Sequence, residues 1–120
     1  MATNGQILVF EPDLFFSSKI EGVARKMGFE ITIIANFEEL RQELENTSPR
    51  LLILNLDSLE SKLREVQRFA RGRAGECLGY YSHVNARLAE EARGLAIGTA
   101  VARGAFLGRF EDVLKRVSGP

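Results

Sequence analysis

The sequence predicts an α/β fold in which helices cover both faces of a parallel sheet, so that the domain has three layers. Short apolar runs alternate with helical patterns five times along the chain. The strand-like runs are almost entirely apolar, which is typical of strands buried on both faces. A chain of 120 residues has the length of one domain. We therefore expect residues 1–120 to form a single domain.

Each predicted element is supported by its residue pattern. In the first helix, Phe16, Ile20 and later apolar residues recur on one face, and Gly28 suits its end. Asn36 followed by Glu39 predicts the start of the second helix. Asp57 and Asn85 are expected to cap the third and fourth helices in a similar way. The predicted strands are 6–10, 29–35, 51–56, 77–82 and 99–102.

Composition excludes several classes of protein. Hydrophobic residues make up 45% and charged residues 27% of the chain, as in ordinary globular proteins. The single cysteine, Cys77, excludes an internal disulfide and a multi-cysteine zinc site, and we interpret it as an inert core thiol. No apolar run is long enough to span a bilayer and no signal peptide is visible, so we expect a cytoplasmic protein without membrane contact.

Function in such a sheet is expected beyond the carboxyl ends of the strands. The segment that follows the first strand is acidic and would repel a phosphate group, and no nucleotide-binding glycine motif occurs. We therefore expect no cofactor and no enzymatic activity. We also expect no metal, because one histidine, His83, and one cysteine are too few for a histidine or cysteine metal site. The segments to consider are 10–13, 55–57, 82–83 and 103–105.

The chain resembles the CheY-like receiver domain of response regulators. Five strand–helix units in 120 residues, an acidic cluster after the first strand and the stretch Ser48–Leu56 (SPRLLILNL) carry this resemblance. The stretch Ser48–Leu56 aligns with the family's sequence Pro-Asp-Leu-Val-Leu-Leu-Asp-Leu. The resemblance implies a flavodoxin-like (βα)5 fold with strand order 2-1-3-4-5 and a role in two-component signal transduction.

Receivers accept a phosphoryl group on an aspartate that ends the third strand, beside a divalent metal, a hydroxyl and a lysine. Here Asn55 aligns with the acceptor, and an amide lacks the nucleophilic carboxylate. Glu11 keeps one metal-binding acid, whereas Pro12 replaces the second and Asp13 follows it. The remaining alignments are Ser82 with the hydroxyl, Arg103 with the region of the lysine and Ala102 with the switch aromatic.

These departures indicate a degenerate receiver, or pseudo-receiver. The leading hypothesis is a signalling module that binds a protein partner without aspartyl phosphorylation, through the surface of the fourth helix, fifth strand and fifth helix. The alternative is a phosphorylatable single-domain response regulator that uses Asp57 or another acid. Asp57 is two residues beyond Asn55, and we interpret it first as a helix cap.

The charge is unevenly distributed although the net charge is zero. Residues 1–60 carry a net charge of −5 and residues 61–120 carry +5. Arg64, Arg68 and Arg71 have the spacing of one helical face, which gives a third hypothesis, a nucleic-acid binder. We favour a solvated face and expect no nucleic-acid partner.

The fifth helix offers a surface for self-association. Leu107 and Leu114 lie off its main apolar stripe, and Arg109 accompanies them. If both leucines are exposed, they form a small apolar patch that could support a weak homodimer. The competing interpretation is that they widen the core-facing stripe.

Overall fold

A computed structural model of the protein describes residues 6–117, except for the side chains of Gln6 and His83. Five strand–helix units follow one another in this part of the chain. The strands are β1 (Gln6–Phe10), β2 (Glu30–Ile34), β3 (Leu51–Asn55), β4 (Glu76–Tyr81) and β5 (Thr99–Ala102). The helices are α1 (Leu14–Lys26), α2 (Phe37–Asn46), α3 (Leu63–Ala70), α4 (Ala86–Gly94) and α5 (Arg103–Val117).

All strands are parallel and their order is β2-β1-β3-β4-β5, as the resemblance implied. The neighbouring interior strands β1 and β3 are buried along their described length because helices cover both of their faces. Their alternate side chains enter two separate cores. Ile7 and Val9 pack with residues of α1 and α5. Leu8 and Phe10 pack on the other face with residues of α2, of the stretch 56–66 and of α4.

Local signals explain where several elements begin and end. The Asn36 side chain accepts a hydrogen bond from the Glu39 N–H at 2.8 Å, which confirms the predicted start of α2. Gly28, at φ 84°, follows α1 in the left-handed conformation that glycine tolerates. Gly98 precedes β5 at φ 140°, and a Cβ there would lie 2.5 Å from the Cys77 carbonyl oxygen.

Two helix starts differ from the prediction. The segment Asp57–Lys62 is a 3-10 helix, and α3 begins only at Leu63. A second short 3-10 turn, His83–Asn85, precedes α4. Asn85 is at the N-cap position of α4 as predicted, but its side chain makes no capping hydrogen bond. No helix within residues 6–117 is long and apolar enough to cross a membrane.

Candidate functional site

The carboxyl edge of the sheet brings together polar side chains from its central strands. Glu11 follows β1 directly, and its N–H donates to the Ile34 carbonyl of the neighbouring strand at 3.0 Å. Asn55 ends β3 and is paired in register with Tyr80 of β4. Glu11 and Asn55 are 1% and 5% exposed, so this polar cluster is sealed from solvent.

The Glu11 carboxylate is surrounded by hydrogen-bond donors. The Asn55 Nδ2 lies 3.0 Å from each of its oxygens, and the Asp13 N–H donates to Oε2 at 2.8 Å. The Tyr80 hydroxyl donates to Oε1. Asn55 also accepts a bond from the Ser58 N–H through its Oδ1, at 3.3 Å. A buried carboxylate requires such partners, because an unpaired one would carry a large desolvation penalty.

Tyr80 belongs to the site although its place in the sequence did not predict a role for it. Its ring packs against Phe16 and Phe106, with centroids 5.2 and 4.4 Å away. Burial, together with the hydrogen bond to Glu11, raises the pKa of the Tyr80 hydroxyl far above its usual value. The available signal was a tyrosine inside an apolar strand, since a buried phenol hydroxyl needs a partner.

The interpretation of Asp57 as a helix cap is wrong. Its Oδ2 accepts from the Ser82 N–H and its Oδ1 from the Asn85 Nδ2, both at 2.9 Å. The 3-10 helix that begins at Asp57 has no side-chain cap. Instead, the half-buried carboxylate joins the end of β3 to the turn that follows β4. Ser82 lies in that turn, and its Oγ is 3.4 Å from the Asn85 Nδ2.

Asp13 and Arg103 form a separate pair at the surface of the same edge. Asp13 caps α1 by accepting a hydrogen bond from the Phe15 N–H at 3.0 Å. Its other oxygen lies 3.5 Å from the Arg103 guanidinium. That guanidinium also covers the Phe16 ring at 4.1 Å, a cation–π contact. Pro12, between Glu11 and Asp13, is exposed.

The residues at this edge do not fit the magnesium ion that the receiver fold implies. Magnesium prefers an octahedral set of oxygen ligands that includes carboxylates. Here the Asn55 amide donates to Glu11 instead of offering its oxygen, and Asp13 is paired with Arg103. In the described part of the chain, no group of three His, Cys, Asp or Glu side chains is arranged to hold a metal.

The predicted apolar patch on α5 is corrected by the burial of its residues. Leu114 is 0% exposed and belongs to the core between α5, α1 and the sheet. Leu107 is half-buried and packs against the same core, whereas Arg109 is exposed. The two leucines therefore widen the core-facing stripe, and no apolar dimer patch is formed by them.

The predicted arginine stripe is also shorter than its spacing suggested. Arg64 and Arg68 lie exposed on α3, but the helix ends at Ala70 and Arg71 has an extended backbone. The neighbouring acid Glu65 pairs with Lys62 at 3.8 Å.

The single cysteine lies in β4. Burial raises the pKa of the Cys77 thiol to about 12, consistent with an unreactive cysteine.

Comparison with known proteins gives the class of fold. No protein-family model matches the chain, and no curated protein matches it. Among solved structures, the receiver domain of sensor histidine kinase PA1611 from Pseudomonas aeruginosa, with magnesium in its active-site cleft, superposes with a TM-score of 0.78. The identity is 17%, over 99% of this chain and 100% of that one.

Two further structures agree. A response regulator receiver protein from Burkholderia phymatum has a TM-score of 0.75 at 21% identity, over 95% of this chain and 94% of that one. NtrX from Brucella abortus has 0.76 at 19%, over 98% of this chain but only 26% of its own. This chain thus spans about a quarter of NtrX. The protein has the flavodoxin-like fold of response regulator receiver domains, as the sequence predicted.

Proposed function

We propose that this protein is a receiver-like signalling module that acts by binding a protein partner and does not accept a phosphoryl group on an aspartate. The proposal depends chiefly on one observation. Asn55 is where β3 ends, and its amide donates to both oxygens of the buried Glu11 carboxylate. An amide cannot form an acyl phosphate, because the reaction needs a nucleophilic carboxylate.

The neighbouring residues support the same proposal. Glu11 accepts bonds from Asn55, Tyr80 and the Asp13 backbone, so its lone pairs are already used within the protein. The only other carboxylate near the end of β3, within the described residues, is Asp57. Both of its oxygens accept hydrogen bonds from the turn after β4. Phosphorylation of Asp57 would use one of these oxygens and so displace at least one of the two hydrogen bonds that join β3 to the turn after β4.

Exposed apolar side chains support contact with a partner. Leu14 and Phe15, in the first turn of α1, are 80% and 84% exposed, and Val84, in the turn before α4, is 78% exposed. All three follow strand ends at the carboxyl edge. The surface of α4, β5 and α5 remains the proposed contact region on the basis of the resemblance. Val84 adjoins it and supplies the apolar group that the leucines of α5 do not.

The test uses amide NMR spectra with beryllofluoride and magnesium. We expect the spectrum of the wild-type protein to stay essentially unchanged, including the signals of Asn55, Ser82 and Ala102. In Asn55→Asp, two carboxylates adjoin at this edge, and we expect magnesium to shift neighbouring signals. A response of this variant would show that the assay detects a binding-competent site.

Discrete shifts in the wild-type protein would contradict the proposal. If those shifts disappeared in Asp57→Ala, the phosphorylatable alternative that uses Asp57 would be correct. An Asn55→Asp protein that folds but responds to neither reagent would show that the other departures, at Pro12 and Arg103, also disable the site.

A further inference from the structure

Helices α2 and α3 lie side by side on one face of the sheet and carry opposite charges. In α2, four glutamates accompany a single arginine. Residues 62–73, which include α3, contain five cations and one acid. A groove of about 370 Å³ separates the two helices. From α2 it is lined by Phe37, Arg41 and Glu45, and from the α3 segment by Glu65, Arg68, Phe69 and Arg73.

The outward-facing residues show the same contrast. Leu40 and Leu44 point α2 into the core, so Glu38 and Glu45 face away from the core. In α3, Leu63 and Val66 are the residues that point into the core. Arg64 and Arg68 therefore face away from the core, toward solvent. Of these exposed charges, Glu45 and Arg68 line the groove itself, whereas Glu38 and Arg64 lie outside its lining. The exposed face therefore has an excess of acids on α2 and an excess of arginines on α3.

These opposite charges are not paired with each other within the chain. Arg41 pairs with Glu38 and Glu45 of its own helix, and Lys62 pairs with Glu65. Arg64 and Arg68 form no ion pair with any residue in 6–117. Because one arginine serves two acids in α2, α2 keeps negative charge and α3 keeps positive charge.

The floor of the groove is aromatic and incompletely covered. The Phe37 and Phe69 rings lie 5.4 Å apart and are half-buried, and the Lys62 ammonium lies 4.9 Å from the Phe37 ring. An apolar centre between charged side chains is the arrangement found in protein interfaces, in which a polar rim surrounds a less polar core.

We propose that this α2–α3 face binds a second copy of the chain in a twofold-symmetric dimer. In such a dimer one surface contacts itself. Both helices follow parallel strands and run in the same direction. If the twofold axis lies along the groove, α2 of each copy lies over α3 of the other. Glu38 and Glu45 then face Arg64 and Arg68 twice, and the aromatic floors meet at the axis.

The charges also exclude the other symmetric arrangement. An axis across the groove would place α2 over α2 and α3 over α3, so that like charges oppose each other. A face on which opposite charges are separated between two helices is therefore self-complementary in one orientation only. This proposal does not depend on the proposed function, since it concerns the face away from Glu11 and Asn55.

The test is sedimentation velocity at low ionic strength with two charge-reversal variants. One is Glu38→Lys/Glu45→Lys and the other is Arg64→Glu/Arg68→Glu. Each variant alone places like charges opposite each other, and we expect its association to weaken at least about tenfold. In an equimolar mixture, both contacts of the mixed dimer are again oppositely charged, so we expect dimers to return.

The matched control is Lys19→Glu/Lys26→Glu, which reverses two exposed lysines of α1 outside this face and should leave the dimer unchanged. Circular dichroism confirms that each variant is folded. A wild-type protein that is monomeric at all concentrations and salt levels would overturn the proposal. So would a mixture that stays monomeric, because charge complementarity between copies would then not be the cause of association.

Discussion

At the scale of single residues, one buried carboxylate organises the carboxyl edge of the sheet. Glu11 is held by an amide, a phenol and a backbone N–H, and it has no buried cation beside it among the described residues. Asn55 can donate to Glu11 because its side chain is an amide. An aspartate at this position would place a second carboxylate beside Glu11, and the two like charges would repel each other.

The Tyr80 hydroxyl contributes to stability through this cluster. In Tyr80→Phe the Glu11 carboxylate loses a donor while it stays buried, and we expect unfolding to require about 1–3 kcal/mol less free energy. Urea denaturation measures this loss. Tyr81→Phe, in the same strand and half-buried, is the control and should change stability by less than about 0.5 kcal/mol. Equal effects of the two changes would contradict the role given to Tyr80.

The same contribution should depend on pH. The folded state raises the pKa of the Tyr80 hydroxyl above that of the unfolded chain, near 10. A group with a raised pKa stabilises the fold fully below its unfolded pKa and loses that contribution as the pH rises above it. The difference between the wild-type protein and Tyr80→Phe should therefore be constant at neutral pH and shrink above about pH 10.

At the scale of elements, α5 is bound to the core more extensively than its main stripe indicated. Four of its apolar residues are buried, and Leu114 is among them. The periodicity separates a stripe of Phe106, Phe110 and Val113 from the two leucines. The periodicity cannot show how much of the helix surface the neighbouring elements cover. In the structure, residues of α1 and of the sheet cover Leu114 as well.

Core burial of Leu114 gives a prediction about stability. We expect Leu114→Ala to lower the free energy of unfolding by about 2–5 kcal/mol, because it leaves a cavity in a close-packed core. Leu107→Ala, at a half-buried position, serves as the comparison and should lose less. Thermal denaturation with sedimentation of each variant distinguishes the two interpretations. A stable Leu114→Asp protein with altered oligomeric state would restore the dimer patch on α5.

At the scale of the whole molecule, the opposite charges of the two halves of the chain meet on the surface. The acidic α2 belongs to the first half and the basic α3 to the second, and the fold places them next to each other. The net charge of the chain is zero, but acidic side chains prevail on one of two neighbouring helices and basic side chains on the other. Such a surface attracts a complementary surface more strongly than it attracts a uniformly charged polymer.

This arrangement predicts no binding to duplex DNA at physiological salt. The acid Glu45 of α2 lies across the groove from Arg68, and the acids of α2 would repel the phosphates that the arginines attract. Fluorescence anisotropy with a labelled duplex measures the affinity. If binding occurs, changing Arg64, Arg68 and Arg71 to alanine should flatten its salt dependence by about one slope unit per lost contact. Binding with that response would establish the nucleic-acid hypothesis instead.

The sequence by itself determined the alternation of strands and helices, most element boundaries and the residue at the end of β3. These features depend on local causes: the apolar runs of buried strands, the helical spacing of apolar residues and the Asn36 cap. The family resemblance added the strand order and aligned Asn55 with the acceptor aspartate of receivers. That alignment needed only the sequence of β3, the strand that Asn55 ends.

The tertiary structure alone decided which polar groups are partners. Tyr80 reaches Glu11 across a sequence separation of 69 residues, and Asp57 reaches Ser82 across 25. At the start of a helix an aspartate usually accepts a hydrogen bond from an N–H of its own helix. Here the turn after β4 places the Ser82 N–H beside the Asp57 carboxylate instead. In the same way, the neighbouring helix determined that Leu114 is buried. Contacts between parallel strands and between packed helices join distant residues, so no local pattern of the sequence records them.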